Sequence, residues 1–181
     1  MRPALTIVVL LAATTVQAAS VPIFGLPLGG KLPKLPAMCP WDTGQAKALC
    51  WVAKPFSGSG GSRSGSVHLP DPDSRPKWAA HAMFDLRVAG DGQLDGLSAR
   101  VDTGYGRTRS EIADSISARF GPPARVTQYG AEWTSPDVRI EMLCGPGEWC
   151  KISFSSKRAA DEAAREAVAR KQRDAKRPVS P

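Results

Sequence analysis

Apolar residues occupy every second position over residues 82–88 and again over 97–101, with Gly90-Asp91-Gly92 between the two stretches. A period of two interrupted by turn residues predicts a β-hairpin. Leu94 is out of phase with this pattern, and Asp95-Gly96 is predicted to form a β-bulge that restores the register.

A helical period follows this hairpin. Thr108 and Glu111 have the spacing of a capping box, and Gly121 followed by two prolines is a stop signal. The apolar positions between them are spaced for one side of a helix: Ile112, Ile116 and Phe120. Start, apolar positions and stop agree, so we expect a helix that covers one face of a sheet.

Further strands are predicted after the helix, at residues 126–129 and 131–134 and in a hairpin that turns through 145–149. The order β-β-α-β-β-β predicts an α+β module over residues 78–155, with an antiparallel sheet and one helix on one face. Residues 156–181 combine alanines with charges, acidic first and basic later, which predicts an exposed C-terminal helix and tail.

The chain begins with Arg2, a short apolar run and small residues at Val16-Gln17-Ala18, which is typical of a signal peptide over residues 1–18 that is cleaved near Ala18. The run is too short to span a bilayer, which takes about 20 apolar residues. We therefore expect a periplasmic or secreted protein with no transmembrane segment in its mature form.

Two segments separate this leader from the module. Residues 19–56 are rich in proline and glycine and contain Cys39 and Cys50, which predicts an extended N-terminal arm. Residues 57–77 begin with a Gly/Ser run, interpreted as a flexible loop, and continue into a proline-rich segment.

The four cysteines favour disulfides, because their number is even and the chain is expected to be exported. If Cys144 lies opposite Cys150 in the predicted hairpin, the apolar residues of both strands share one face. This register favours a Cys144–Cys150 bridge and leaves Cys39 to pair with Cys50. A zinc site is the alternative, but neither pair has the close ligand spacing that zinc sites use, so we expect no metal.

The formal net charge is +7 for the full sequence, and much of it comes from the segment that begins with Lys157, which holds eight basic and four acidic residues. This local surplus does not describe a nucleic-acid-binding surface. It raises the alternative that the tail binds an anionic polymer of the envelope.

The helix that ends in Arg119-Phe120-Gly121, with Pro123 after it, precedes a β-meander that contains Trp133. Together with the segment 24–29, this arrangement resembles small exported Gram-negative proteins of unknown function. Small envelope lipoproteins of the outer-membrane assembly machinery also close a helix with Gly-x-Pro before a meander. The resemblance implies a fold and a compartment; it does not imply an activity.

Catalytic chemistry has few candidates here, since His68 and His81 are the only histidines and no phosphate-binding loop is present. We expect a non-enzymatic binding or accessory protein without a cofactor, whose partner is another envelope protein. A cationic polymer binder and a small enzyme or inhibitor are the alternatives. The candidate contact residues lie in two places: Arg75, Lys77 and Trp78, and Arg170, Lys171 and Arg173. For Trp78, a place in the core is the competing interpretation.

Overall fold

The computed structural model describes residues 20–103, 108–147 and 149–175, so the predicted signal peptide lies outside the described residues. The strands are β1 Val21–Ile23, β2 Leu26–Leu28, β3 Ala37–Met38, β4 Cys50–Trp51, β5 Phe56–Ser57, β6 Arg63–His68, β7 Met83–Val88, β8 Leu94–Asp102, β9 Arg125–Thr127, β10 Gly130–Thr134, β11 Val138–Cys144 and β12 Trp149–Ser156. The helices are α1 Arg109–Phe120 and α2 Lys157–Ala175.

Within the described residues, ten strands form one sheet in the order β3-β4-β6-β7-β8-β12-β11-β10-β9, and β5 pairs with β6 off this path. All pairings are antiparallel except the short β3–β4 pair. The α+β prediction, with an antiparallel sheet and one helix on one face, is confirmed. One more strand than predicted follows α1, because both arms of the cysteine hairpin are separate strands.

The predicted hairpin and bulge are confirmed in β7 and β8. Arg87 lies opposite Gly96 and Val88 lies opposite Leu94, so Asp95 is the extra residue of the longer strand. The bulge keeps apolar residues of both strands on one face, as the sequence pattern required.

Helix α1 packs on that apolar face through Ile112 and Ile116, which are buried. The capping box between Thr108 and Glu111 forms as predicted. Each of two core tryptophans donates its indole N–H to a serine hydroxyl of α1 at 3.1 Å: Trp78 to Ser115 and Trp133 to Ser117. These bonds satisfy the polar atoms of rings that are otherwise enclosed by apolar neighbours.

The N-terminal arm supplies a second cover for the same face. Strands β1 and β2 form a hairpin that turns at Phe24 and Gly25, whose φ angles are 48° and 76°. Both angles are left-handed, as a two-residue type I′ turn requires. The arm is extended, as predicted, and it covers the sheet together with α1, because Ile23 and Leu28 are as fully buried as the α1 residues.

The expectation of a flexible loop over residues 57–66 is also wrong from Arg63 onward. Strand β6 begins there and pairs with β7, with Ser66 opposite Asp85 and Val67 opposite Phe84. The Gly/Ser composition favoured a linker. A strand can nevertheless carry small side chains at its solvent-facing positions when an inward residue packs in the core, and in β6 that residue is the buried Val67.

Both predicted disulfides, Cys39–Cys50 and Cys144–Cys150, are confirmed. In the second, Cys144 lies opposite Cys150, and Met142 lies opposite Ile152, which is the register that the apolar pattern favoured. The first lies within the arm, where it joins β4 to the residue that follows β3 at one edge of the sheet. Two disulfides are consistent with an extracytoplasmic protein.

Helix α2 follows β12 without a break, and Ala159 is its one buried residue among those described. The prediction of an exposed C-terminal helix is confirmed. In the described part of the chain, no helix combines the length and apolar character needed to cross a membrane.

Candidate binding surface

The side of the sheet away from α1, here called the open face, carries polar residues in register across several strands. Its middle row consists of Ser66, Asp85, Ser98, Ser153, Glu141 and Glu132. The next row consists of Ser64, Arg87, Gly96, Ser155, Arg139 and Thr134. Alternation along each strand places these residues opposite the core.

The centre of the open face is a shallow depression, because its floor is made of glycine and serine. One cleft of about 380 Å³ extends from Phe56 across Gly96 to Ser153. A second, of about 290 Å³, lies between Ser153 and the alanines of α2, which turns back over the open face. Arg87 lines both clefts, and also a third of about 580 Å³ beside Arg158. The guanidinium of Arg87 therefore stands where three clefts meet.

Several charged side chains of the open face have no partner. Among the described residues, Arg87, Arg100 and Lys151 make no side-chain hydrogen bond or ion pair, and neither does Glu141. By contrast, Arg139 pairs with Glu132 at 3.2 Å. Unpaired cations thus lie around the depression, where they are exposed to whatever docks there.

Large apolar side chains border this polar depression. Phe56 is 78% exposed and lies opposite Ser64, and Met83 is 62% exposed and lies opposite Arg100. Leu143, opposite Lys151, is also exposed. Phe, Met and Arg are enriched in protein interfaces, whereas Lys, Glu, Asp and Ser are depleted. The exposed apolar border and Arg87 therefore have the composition of a contact surface, and the serine-rich floor between them does not.

The position of α2 over the open face is fixed at its first turn. Asp95, the bulge residue, is 8% exposed and accepts hydrogen bonds from Arg158 Nη2 at 2.7 Å and Nε at 3.2 Å. The hydroxyl of Ser156 donates to the same carboxylate at 3.4 Å and accepts from the backbone N–H of Ala159 at 3.2 Å. The bulge thus supplies the anion that holds the start of the helix.

Arg158 also bridges to the hairpin turn, where its Nη1 lies 3.2 Å from Asp91 Oδ2. The backbone N–H of Gln93 donates to Asp91, and this bond, together with Arg158, lowers the pKa of Asp91 below its usual value. The bond to Asp95 raises the pKa of Arg158. Both shifts favour the charged forms, so the junction between α2 and the sheet stays ionic at neutral pH.

Comparison with known proteins adds no assignment. The chain matches no family model, no curated protein and no solved structure. The resemblance to small exported Gram-negative proteins therefore stays an interpretation of the sequence.

The first group of predicted contact residues lies on the α1 side, away from the open face. Trp78 is 6% exposed and packs edge-on against Phe24 at 5.8 Å, so it has the place in the core that was the competing interpretation. Arg75 donates to the carbonyl oxygens of Leu69 and Asp71. Lys77 is exposed in the short turn before Trp78.

The second group, Arg170, Lys171 and Arg173, is exposed near the end of α2. The structure does not bring it together with the first group, and a binding role for either group stays a prediction. All three follow Ala167, the last residue of α2 that lines the clefts described above.

The residues that build the open face were not identified from the sequence. Arg87 and Ser153 occupy ordinary outward positions of alternating strands, and such positions carry no signal without knowledge of which strands become neighbours. Asp95 could have been singled out from the sequence. It is a charged residue at the predicted β-bulge, where the regular hydrogen bonding between two strands is interrupted. In the described residues, no group of three His, Cys, Asp or Glu side chains is arranged to hold a metal ion.

Proposed function

We propose that the protein is a non-enzymatic binding protein of the bacterial envelope, and that an acidic segment of another envelope protein docks on the open face. The observation that carries this proposal is Arg87, an exposed and unpartnered guanidinium where three clefts meet. Arginine binds carboxylates through two parallel N–H donors, and it is among the commonest hot-spot residues of interfaces.

The composition of the open face favours a protein partner over a uniformly charged polymer. Asp85 and Glu141 lie in the same depression as Arg87 and would repel a polyanion. A folded or extended protein segment can place carboxylates against Arg87 and apolar groups against Phe56 and Met83. Serine hydroxyls on the floor supply further hydrogen bonds to its backbone.

The acidic character of the partner follows from charge complementarity. The cations Arg87, Arg100 and Lys151 outnumber the anions Glu141 and Asp85, whose hydrogen bond from the neutral Ser66 hydroxyl at 2.7 Å leaves its charge in place. Complementary charge fixes the orientation of a partner and speeds association. The compartment is supported by the two disulfides, which persist in oxidising environments.

Site-specific photocrosslinking in cells tests this proposal. A photoreactive residue at position Ser153, on the floor of the depression, should give a protein adduct that Arg87→Glu strongly reduces. The matched control places the same photoreactive residue at Asp114, which is exposed on α1 on the opposite side of the sheet. That position should give no such adduct.

A second pair of variants separates the open face from the other predicted contact residues. Lys77→Glu reverses a charge on the α1 side and should leave the adduct unchanged. Loss of the adduct through Lys77→Glu but not through Arg87→Glu would contradict the proposal. An adduct that resists protease, and that depends on Arg170 and Lys171 rather than on Arg87, would indicate an anionic polymer as the ligand instead.

A further inference from the structure

A separate cleft of about 240 Å³ lies on the α1 side of the sheet, between the tip of the β1–β2 hairpin, residues 74–78 and α1. Its walls are largely aromatic: Phe24, Trp78, Phe120 and Phe154. Phe24 stands at the centre of this group, edge-on to Trp78 at 5.8 Å and to Phe154 at 5.5 Å. The walls are therefore built from packed rings rather than from mobile side chains.

Two guanidinium groups line the same cleft. Arg75 donates from Nη2 to the carbonyl oxygen of Leu69 at 2.7 Å, and Arg119 donates from Nη2 to the carbonyl oxygen of Pro22. Neither arginine pairs with a carboxylate among the described residues. A guanidinium carries five N–H donors, so both keep donors for a ligand.

Other contacts hold these cations in place. The Arg119 guanidinium stacks over the Phe120 ring at 5.1 Å, and Arg75 lies over the Phe84 ring at 5.6 Å. Ser115, which also lines the cleft, accepts the indole N–H of Trp78, and its hydroxyl hydrogen remains to be donated. The cleft thus combines apolar walls with fixed donors and positive charge.

We propose that this cleft binds a small amphipathic carboxylate, with its apolar body against the aromatic walls and its carboxylate at Arg119 and Arg75. A few converging polar groups in a mainly apolar concavity are typical of small-ligand sites. The volume suits one ring or a short aliphatic chain. The carboxylate comes either from a free acid or from the C-terminal residue of a peptide that ends in an apolar side chain.

This site is independent of the open face, because the sheet separates the two. A negative result in the crosslinking experiment with Arg87→Glu therefore does not count against a ligand site in this cleft. A negative result for the cleft likewise does not count against docking on the open face.

Binding of 3-phenylpropionate to the purified mature protein tests the inference. The acid should perturb the NMR signal of the Trp78 indole N–H, with a dissociation constant of about 1 mM or tighter, as is usual for so small a ligand. The neutral analogue 3-phenylpropanol should bind about tenfold more weakly or worse, because charge-assisted hydrogen bonds are about twice as strong as neutral ones.

Variants on α1 provide the matched comparison. Arg119→Gln should weaken binding of the acid by about tenfold and leave the alcohol unaffected, whereas Arg119→Lys should restore part of the difference. Arg109→Gln is the control, because Arg109 lies on the same helix but donates to Gly145. Thermal melting of each variant shows whether it is folded. If Arg119→Gln does not fold, Ser115→Ala, which removes another donor that lines the cleft, is used in its place.

The inference fails if acid and alcohol bind equally, if Arg119→Gln binds the acid as wild type does, or if no Trp78 shift occurs at about 10 mM acid, well above the affinity expected for this size. A peptide that ends in phenylalanine, with a free or an amidated terminus, then distinguishes the sources. Preferential binding of the free terminus identifies a chain end as the ligand, and binding of the free acid alone identifies a small molecule.

Discussion

At the scale of single residues, Phe24 shows how packing overrides backbone preference. Its φ of 48° lies in the left-handed region, which costs a residue with a side chain roughly 1–2 kcal/mol. Burying a phenylalanine side chain contributes about 1.5–3 kcal/mol, and each aromatic pair adds about 0.5–1.5 kcal/mol. Phe24 makes three such pairs. The ring therefore holds the turn in a conformation that asparagine or glycine usually supplies.

Such a residue is hard to identify from sequence. The proline-rich arm predicted an extended chain, and the structure is extended there. However, turn propensity gives no reason to place a phenylalanine at the first turn position, and its partners Trp78, Phe84 and Phe154 are far away in sequence. The same holds for the α1-side cleft, whose two arginines come together only through the fold.

Asp95→Ala should loosen the attachment of α2. It leaves Arg158 without its closest carboxylate, and hydrogen bonds to charged groups contribute about 1.5–3 kcal/mol. Because the Arg158 side chain is 42% exposed, water replaces part of that loss. We expect a decrease of about 1–2 kcal/mol in the free energy of unfolding, measured by denaturant titration.

Asp161→Ala is the control for this change. Asp161 forms an exposed ion pair with Lys157 at 2.9 Å, and such pairs contribute only a few tenths of a kcal/mol. Equal losses from both variants would show that Arg158 finds other partners and that the bulge does not anchor the helix.

At the scale of elements, the sequence predicted the helices and strands for which the start signal, the apolar period and the end signal all indicate the same structure. Helix α1 has its capping box, its buried Ile112 and Ile116, and a glycine end, and the β7–β8 hairpin has its turn and bulge. Strand β6 was missed because its outward positions are serines and its inward position opposite Leu86 is a glycine, a composition that by itself is typical of a linker. Its identity depends on β7, which pairs with it.

Ile116→Ala should destabilise the protein strongly. Ile116 is almost fully buried between α1 and the sheet, and core Ile→Ala changes cost about 2–5 kcal/mol. Arg170→Ala, on the exposed part of α2, should stay within about 0.5 kcal/mol. Thermal melting under oxidising conditions compares the two. A larger loss from Arg170→Ala would mean that α2 carries part of the core packing.

At the scale of the whole molecule, fold class and both disulfides were predictable, whereas the extent of the sheet was not. Local patterns define strands, but the joining of the arm, β6 and the predicted module into one sheet depends on pairings between distant segments. The open face results from that joining, since its rows take residues from β6 to β10.

Limited trypsin digestion should reflect this arrangement. We expect the first cuts in α2, after Arg165, Arg170 or Lys171, because that part of the helix buries little apolar surface. Arg63 should resist, since β6 pairs with both β5 and β7 there. Mass spectrometry of the earliest fragments gives the order. A first cut after Arg63 would show that β6 opens more easily than α2.

The position of β12 has a consequence for the timing of folding. It is the last strand among residues 20–175 of the described chain, yet it lies in the interior of the sheet, between β8 and β11. A chain that emerges N-terminus first, from a ribosome or through a translocation pore, cannot join the two halves of this sheet until nearly all of it has passed through. Until then β8 and β11 each present a free edge. The topology thus delays completion of the fold, and it leaves two aggregation-prone edges that only β12 can close.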